Sequence, residues 1–338
     1  MDPLGAFRRT VWASDERRPR MPVRLLLTGV VFVFVSVALA TAVRVVGIGG
    51  SEAGAYAAIV RIGLSGLVVT AIVLVPCGRF LDRRRLRDFG LRLDRDWWVD
   101  CAFGLALGAG LQAAVFGVGW LAGWFRVTAA FVSDGSFAVG FASVLVLFLS
   151  VGIYEELVAR GWLLTNLAEG LRFAGETIAV AVAVAVSAGV FGVAHAVNPG
   201  ATTLSTGIIS LAGVFLALGY VLTGELAIPI GVHVTWNLFQ GAVFGFGVSG
   251  LSLPATVLET EPTGPKLLTG GSFGPEAGVL GLAAIVVGCG ATVGWVWWRT
   301  GSVGIHPRVT APELVTDVDP EQAAAGDAGA ETATVDDA

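Results

Sequence analysis

Two adjacent carboxylates, Glu155 and Glu156, stand inside a long apolar stretch, with Arg160 four residues after the second. A carboxylate in a membrane span costs roughly 2.5 to 3.5 kcal/mol on insertion scales, so charges placed there are candidates for function. Glu156 and Arg160 have the spacing and order of an intrahelical ion pair, which is a sufficient structural reason for both. Glu155 lies about 100° around the helix from its neighbour, has no cation at that spacing and needs a partner from another helix. Of the three histidines, two also fall in apolar stretches. His195 follows Phe191 by four residues and His233 precedes Asn237 by four, which puts each pair on one helix face. An isolated histidine in a membrane helix commonly bridges helices by a hydrogen bond. His306 lies in polar surroundings and has no claim to the set.

Together these groups suffice for peptide hydrolysis. A carboxylate in a low-dielectric site is a strong base toward a bound water, and an imidazole beside it can share the proton. His233 and Asn237 can donate to a developing oxyanion, an effect worth on the order of 3 kcal/mol per donor. Glu155, His195 and His233 are equally a ligand set for a divalent metal such as zinc, with one position left for water. Both chemistries remain open to these residue types, with a metal and without one. Other membrane-protease chemistries lack their residues: there is no His-Glu-x-x-His, no Gly-x-Ser-x-Gly nucleophile elbow in a span (the one such spacing, Gly270 to Gly274, lies in the loop before the last span), and no mid-span aspartate for a dyad, Asp100 standing alone at a span edge.

The elements that must position this set are membrane helices. Apolar residues make up 55% of the 338 positions and charged residues 14%, too much hydrocarbon for a water-soluble domain to hide. About eight apolar stretches have the length that crosses a hydrocarbon core: 23–46, 55–77, 99–125, 137–167, 177–197, 204–222, 226–246 and 277–298. The predicted fold is all-α, a polytopic membrane bundle of about eight transmembrane helices. Gly104 and Gly108, and Gly119 and Gly123, are spaced to let helices approach closely. Cys77, Cys101 and Cys289 have no metal-ligand spacing and no disulfide pattern. No glycine loop supports a nucleotide site, and no nucleic-acid partner is expected. The partners implied are lipids and a membrane-associated peptide or protein.

Arginines set the expected topology. Those at 8–24 open the first span and those at 79–95 lie between the second and third, which the positive-inside rule places in the cytoplasm. Alternation then puts both termini inside. The chain divides into a basic N-terminal segment 1–22, three spans over 23–125 with a basic loop 79–98, a core at 137–246, an external loop 247–274, a last span with its lead-in at 275–298 and a tail at 299–338. The loop 79–98 reads as an interfacial segment anchored by Trp97 and Trp98. From Val309 onward there are eight acidic residues and no basic ones, a composition that predicts disorder. On this topology His195 stands about 27 Å along the fifth span, toward the outside, while Glu155 is nearer mid-membrane.

Three motifs in series, Glu-Glu-x-x-x-Arg at Glu155 to Arg160, Phe-x-x-x-His at Phe191 to His195 and His-x-x-x-Asn at His233 to Asn237, resemble the CPBP family. These are the CAAX-processing type II endopeptidases and their bacteriocin-processing relatives. The resemblance spans about a third of the chain, and each motif is weak without the others. It implies an eight-span fold around a conical cavity. In that reading Glu155 and His195 activate water, His233 and Asn237 hold the oxyanion, and Glu156 and Arg160 support the helix and the substrate carboxylate. Members are commonly termed metalloproteases, and a metal-free glutamate mechanism is also argued for them; the resemblance leaves both open. The competing classes are a non-catalytic scaffold or immunity-type membrane protein, and a carrier, against which stands the lack of an internal repeat.

Overall fold

In lipid a backbone has no partner but itself, so runs of some twenty apolar residues fold as helices. The structure, a computed structural model, describes residues 10–45, 54–311 and 313–315. Among these, seven helices are long and apolar enough to cross a membrane. They begin with α1 (Met21–Val45), α2 (Gly54–Cys77), α3 (Arg95–Leu121) and α4 (Phe137–Glu156). After α4 come α5 (Glu176–Ala194) and α6 (Thr203–Thr223). Then α7 (Ala227–Asn237) precedes the last span, α8 (Val279–Thr300). The chain is a multi-pass helical bundle of the membrane. Most of the acidic tail and the first outer loop fall outside the described residues.

The seventh stretch differs from the expected full span at 226–246. Its α-helix has 11 residues and then shifts into a π-helical turn, Leu238–Val243. Every residue of α7 is buried, so this helix has no lipid face and need not match the thickness of the bilayer. It is the bundle's core, and α3 lies along it. A Cβ on Gly104 would stand 2.5 Å from the Ile228 carbonyl oxygen, and one on Gly108 would stand 2.5 Å from that of Val232. Two absent side chains thus set the depth at which His233 and Asn237 sit. The second spaced pair behaves otherwise: Gly119 receives the Phe125 ring, and Gly123 faces open space.

Segment 247–274 is more ordered than a loop. Strand β2 (Ala255–Pro262) pairs antiparallel with β1 (Phe125–Ser133), from Phe125 opposite Pro262 to Ser133 opposite Ala255. Both segments carry β-branched valine and threonine, which favour extended backbone. The ribbon ties the α3–α4 connection to the α7–α8 connection at one end of the bundle.

At the opposite end the arginines do more than mark topology. Arg18, Arg24 and Arg84 are almost wholly buried and all meet Glu169, with Arg24 3.0 Å from Asp82 as well. Arg24 also donates to Asn166 at 3.0 Å. This cluster joins the N-terminal segment and the end of α2 to the continuation of α4, which runs on through a π-helical stretch, Leu157–Leu164, to Gly170. Segment 79–98 is partly folded inward, through Asp82, Arg84 and Phe89, while Phe80, Leu86 and Leu93 remain exposed. Trp97 is buried with its indole N–H donating to the Gly90 carbonyl, and only Trp98 faces out. Asp100 is not alone either: it accepts from the Trp295 indole at 2.8 Å.

Removing one partner of a buried ion cluster leaves the others uncompensated, at a cost of about 3 to 5 kcal/mol. Glu169→Ala should therefore lower the apparent Tm of the detergent-solubilised protein strongly, read by thermal unfolding, whereas Arg87→Ala on the surface should not. Gly108→Ala should lower both Tm and activity, because its methyl group meets backbone on α7; Gly117→Ala, which faces open space, should do neither.

Candidate active site

Glu156 is fully buried and its Oε1 accepts two hydrogen bonds, from Arg160 at 2.7 Å and from His233 Nδ1 at 2.7 Å. Arg160, also fully buried, donates a second bond to the Gly213 carbonyl on α6 and lies over the Phe191 ring of α5, 4.5 Å from its centroid. One carboxylate and one guanidinium thus fasten α4 to α5, α6 and α7. Each is the other's counter-charge, so neither stands uncompensated in the apolar interior, although Glu156 Oε2 and Arg160 Nε have no hydrogen-bond partner among the described residues. The π-helical stretch begins at Leu157, directly after the two glutamates, where a widened turn changes the face presented by later residues.

Glu155 faces the other way, into a cavity of about 290 Å³ that it lines together with His195, His233 and Asn237. Its Oε1 accepts from the neighbouring Tyr154 hydroxyl at 3.3 Å. Oε2 is buried and has no hydrogen-bond partner among the described residues, and it stands 3.8 Å from His233 Nε2. A buried acceptor without a donor is a place for a water or a substrate group. Apolar side chains, among them Phe148, Phe215, Leu216 and Trp236, make up most of the remaining wall.

The ring orientations follow from their partners. His195 Nδ1 lies 2.8 Å from the Phe191 carbonyl, which can only accept, so Nδ1 carries the proton and Nε2 offers a lone pair. His233 Nδ1 likewise donates to the Glu156 carboxylate, leaving Nε2 toward Glu155. The apparent mismatch in depth between His195 and Glu155 is small. From the α4–α5 connection, Glu155 is about 20 Å along its helix and His195 about 28 Å along α5.

Three departures from the sequence reading follow. Arg160 does not line the cavity, so it does not face the position of a substrate carboxylate. A metal is poorly served, since no group of three His, Cys, Asp or Glu among the described residues could hold an ion. The third is Glu276, in the turn Pro275–Ala277 ahead of α8, which lines the same cavity. Its carboxylate accepts from both the backbone N–H and the hydroxyl of Ser249, the latter at 2.9 Å. Burial pushes its carboxyl up, against the Ser249 donors and the nearby His195, which favour the charged form. In sequence this residue reads as an acid complementing the dipole at a helix start.

Glu156→Gln should destabilise the protein by about 3 kcal/mol, as Arg160 loses its counter-charge. Adding Arg160→Met to it should restore much of the Tm, measured by unfolding in detergent, because no unpaired charge then remains.

With the geometry in view, the chain was compared with known proteins. No curated protein and no solved structure matches it. Residues 137–239 match the family model described as Type II CAAX prenyl endopeptidase Rce1-like, so the helices α4 to α7 that hold Glu155, His195, His233 and Asn237 carry the resemblance expected from their motifs.

Proposed function

We propose that this protein is an intramembrane endopeptidase that hydrolyses peptide bonds of membrane-associated substrates, with prenylated Cys-a-a-X termini as the substrate class. The family match supports the protease class. The observation that carries the mechanism is the buried, unpartnered Oε2 of Glu155 in an apolar cavity shared with two imidazoles and an amide. Water placed between Glu155 and His195 Nε2 gives one proton to Oε2 as its oxygen attacks the scissile carbonyl. Glu155 then passes that proton to the amine nitrogen as the C–N bond breaks. The remaining hydroxyl proton of the new acid goes to His195 Nε2.

The oxyanion formed in between is held by His233 and Asn237. For His233 to donate from Nε2 while Nδ1 serves Glu156, the ring must carry both protons. Glu155, Glu156, Arg160 and a doubly protonated His233 sum to zero charge, a balanced group for an apolar interior. No step here is routed through a metal. With the arginine-rich helix ends in the cytoplasm, both termini are cytoplasmic and the β1–β2 ribbon is external.

A scaffold or immunity-type protein would need neither the open carboxylate nor the cavity before it. Glu155→Gln tests the difference. Expressed in its own host, the variant should accumulate normally, lose cleavage by at least about 100-fold and retain an uncut peptide identifiable by mass spectrometry. Wild-type biological activity in this variant would favour the scaffold.

A further inference from the structure

Glu276 is the one carboxylate besides Glu155 among the described residues lining the cavity, and no lysine or arginine lines it. It lies outside the segment that matches the family model. Its setting is built in detail. Ser249, which donates to it twice, has φ of 49°, a left-handed backbone that a side-chain-bearing residue adopts at some cost. The next residue, Gly250, donates its N–H to the Phe273 carbonyl and packs on the Pro199 carbonyl so closely that a Cβ has no room. Pro199 belongs to the turn that follows His195.

The turn bearing Glu276 is also clamped to the helix end bearing His195. Phe273 and Ala277, on either side of it, pack with Ile209 against Phe191 and Ala201. Phe191 is the residue whose carbonyl fixes His195 Nδ1. One set of contacts therefore holds the imidazole and the carboxylate on opposite sides of a shared space. No nitrogen of His195 lies within ion-pair distance of Glu276 among the described residues; both line the one cavity.

We propose that Glu276 is a positioning residue for His195, supplying through the cavity the counter-charge for the imidazolium formed when Nε2 takes the hydroxyl proton of the newly formed acid. The proposal rests on the peptidase reading above. The groups facing Glu276 are His195 from the end of α5, Ser249 from the cap and, across the cavity, Glu155 from α4 and His233 from α7. Of these, His195 alone becomes a cation in the cycle without a carboxylate of its own in contact. Glu156 already does this for His233. A carboxylate opposite an imidazole is the arrangement that makes a positive ring less costly as it forms.

The test uses the full-length protein in nanodiscs and an internally quenched, farnesylated Cys-a-a-X peptide, with any peptide recovered from Glu155→Gln as a second substrate. Glu276→Gln keeps the size of the side chain and an acceptor for Ser249. It should lower kcat about 10-fold or more with KM unchanged, and move the acid limb of the pH–kcat profile to lower pH, since a base that has lost its counter-charge holds its proton less well. Glu276→Asp should recover part of kcat. Ser249→Ala, which removes one donor and keeps the backbone N–H, should shift the same limb slightly, and it decides the matter if Glu276→Gln does not fold. A wild-type kcat and pH profile, or a fall in kcat with no movement of the profile, would overturn the proposal. Glu155→Gln run in parallel separates the two readings. If it is inactive while Glu276→Gln behaves as wild type, only the role of Glu276 fails; if it cleaves normally, or wild type cleaves neither peptide, the peptidase reading fails as well.

Discussion

A carboxylate shared between a guanidinium and an imidazole, Glu156 with Arg160 and His233, is the interaction on which the rest of this molecule depends. Placed in apolar surroundings, each of the three would be too costly without the others, so α4 and α7 can pack only in the register that joins them. That register turns Glu155, one residue earlier on the helix, about 100° away from the cluster and into the cavity. The same constraint orients His233, whose second nitrogen is left facing Glu155 at 3.8 Å. Arg160 extends the fastening to Gly213 on α6 and to the Phe191 ring on α5. Four helices are thus locked through Glu156 and Arg160, while His233 both closes that lock with one nitrogen and turns the other toward the cavity.

Around this centre the bundle divides its work between its two ends. Arg18, Arg24 and Arg84 close on Glu169 at one end and fix the α1–α2 pair and the N-terminal segment to the continuation of α4. At the other, the β1–β2 ribbon ties the two connections together, and the turns that carry Ser249 and Glu276 reach the cavity. The matched segment 137–239 supplies the helices that bear the motifs and most of the cavity wall, and the flanking segments add Ile62, Ser249, Glu276 and Ile285 to it.

Much of this was legible in the order of residues. An acid or a histidine inside an apolar stretch costs enough to identify itself, so Glu155, Glu156, Arg160, His195 and His233 stood out, and i to i+4 spacing placed Asn237 with His233. Hydropathy located the spans to within a few residues. What escaped did so for physical reasons. α7 is apolar apart from His233, Thr235 and Asn237, and composition does not tell a buried core helix from one that spans lipid. The ribbon strands Phe125–Ser133 and Ala255–Pro262 show no sustained alternation, each is short, and the partner lies over a hundred residues away. Glu276, Glu169 and Arg84 sit near span ends, where a charge has ready explanations in the helix dipole or in membrane topology. Only the closure of the chain in three dimensions shows that they are buried and what they face.

The central claim is that a water held by Glu155 and His195 meets a peptide carbonyl held by His233 and Asn237. The most direct measurement is an experimental structure of the Glu155→Gln protein with its trapped peptide. This account predicts the scissile carbonyl oxygen within about 3 Å of His233 Nε2 and the Asn237 amide, with a water or its site between residue 155 and His195 Nε2. A peptide bound elsewhere, or a carbonyl turned away from both donors with residue 155 facing lipid, would contradict it.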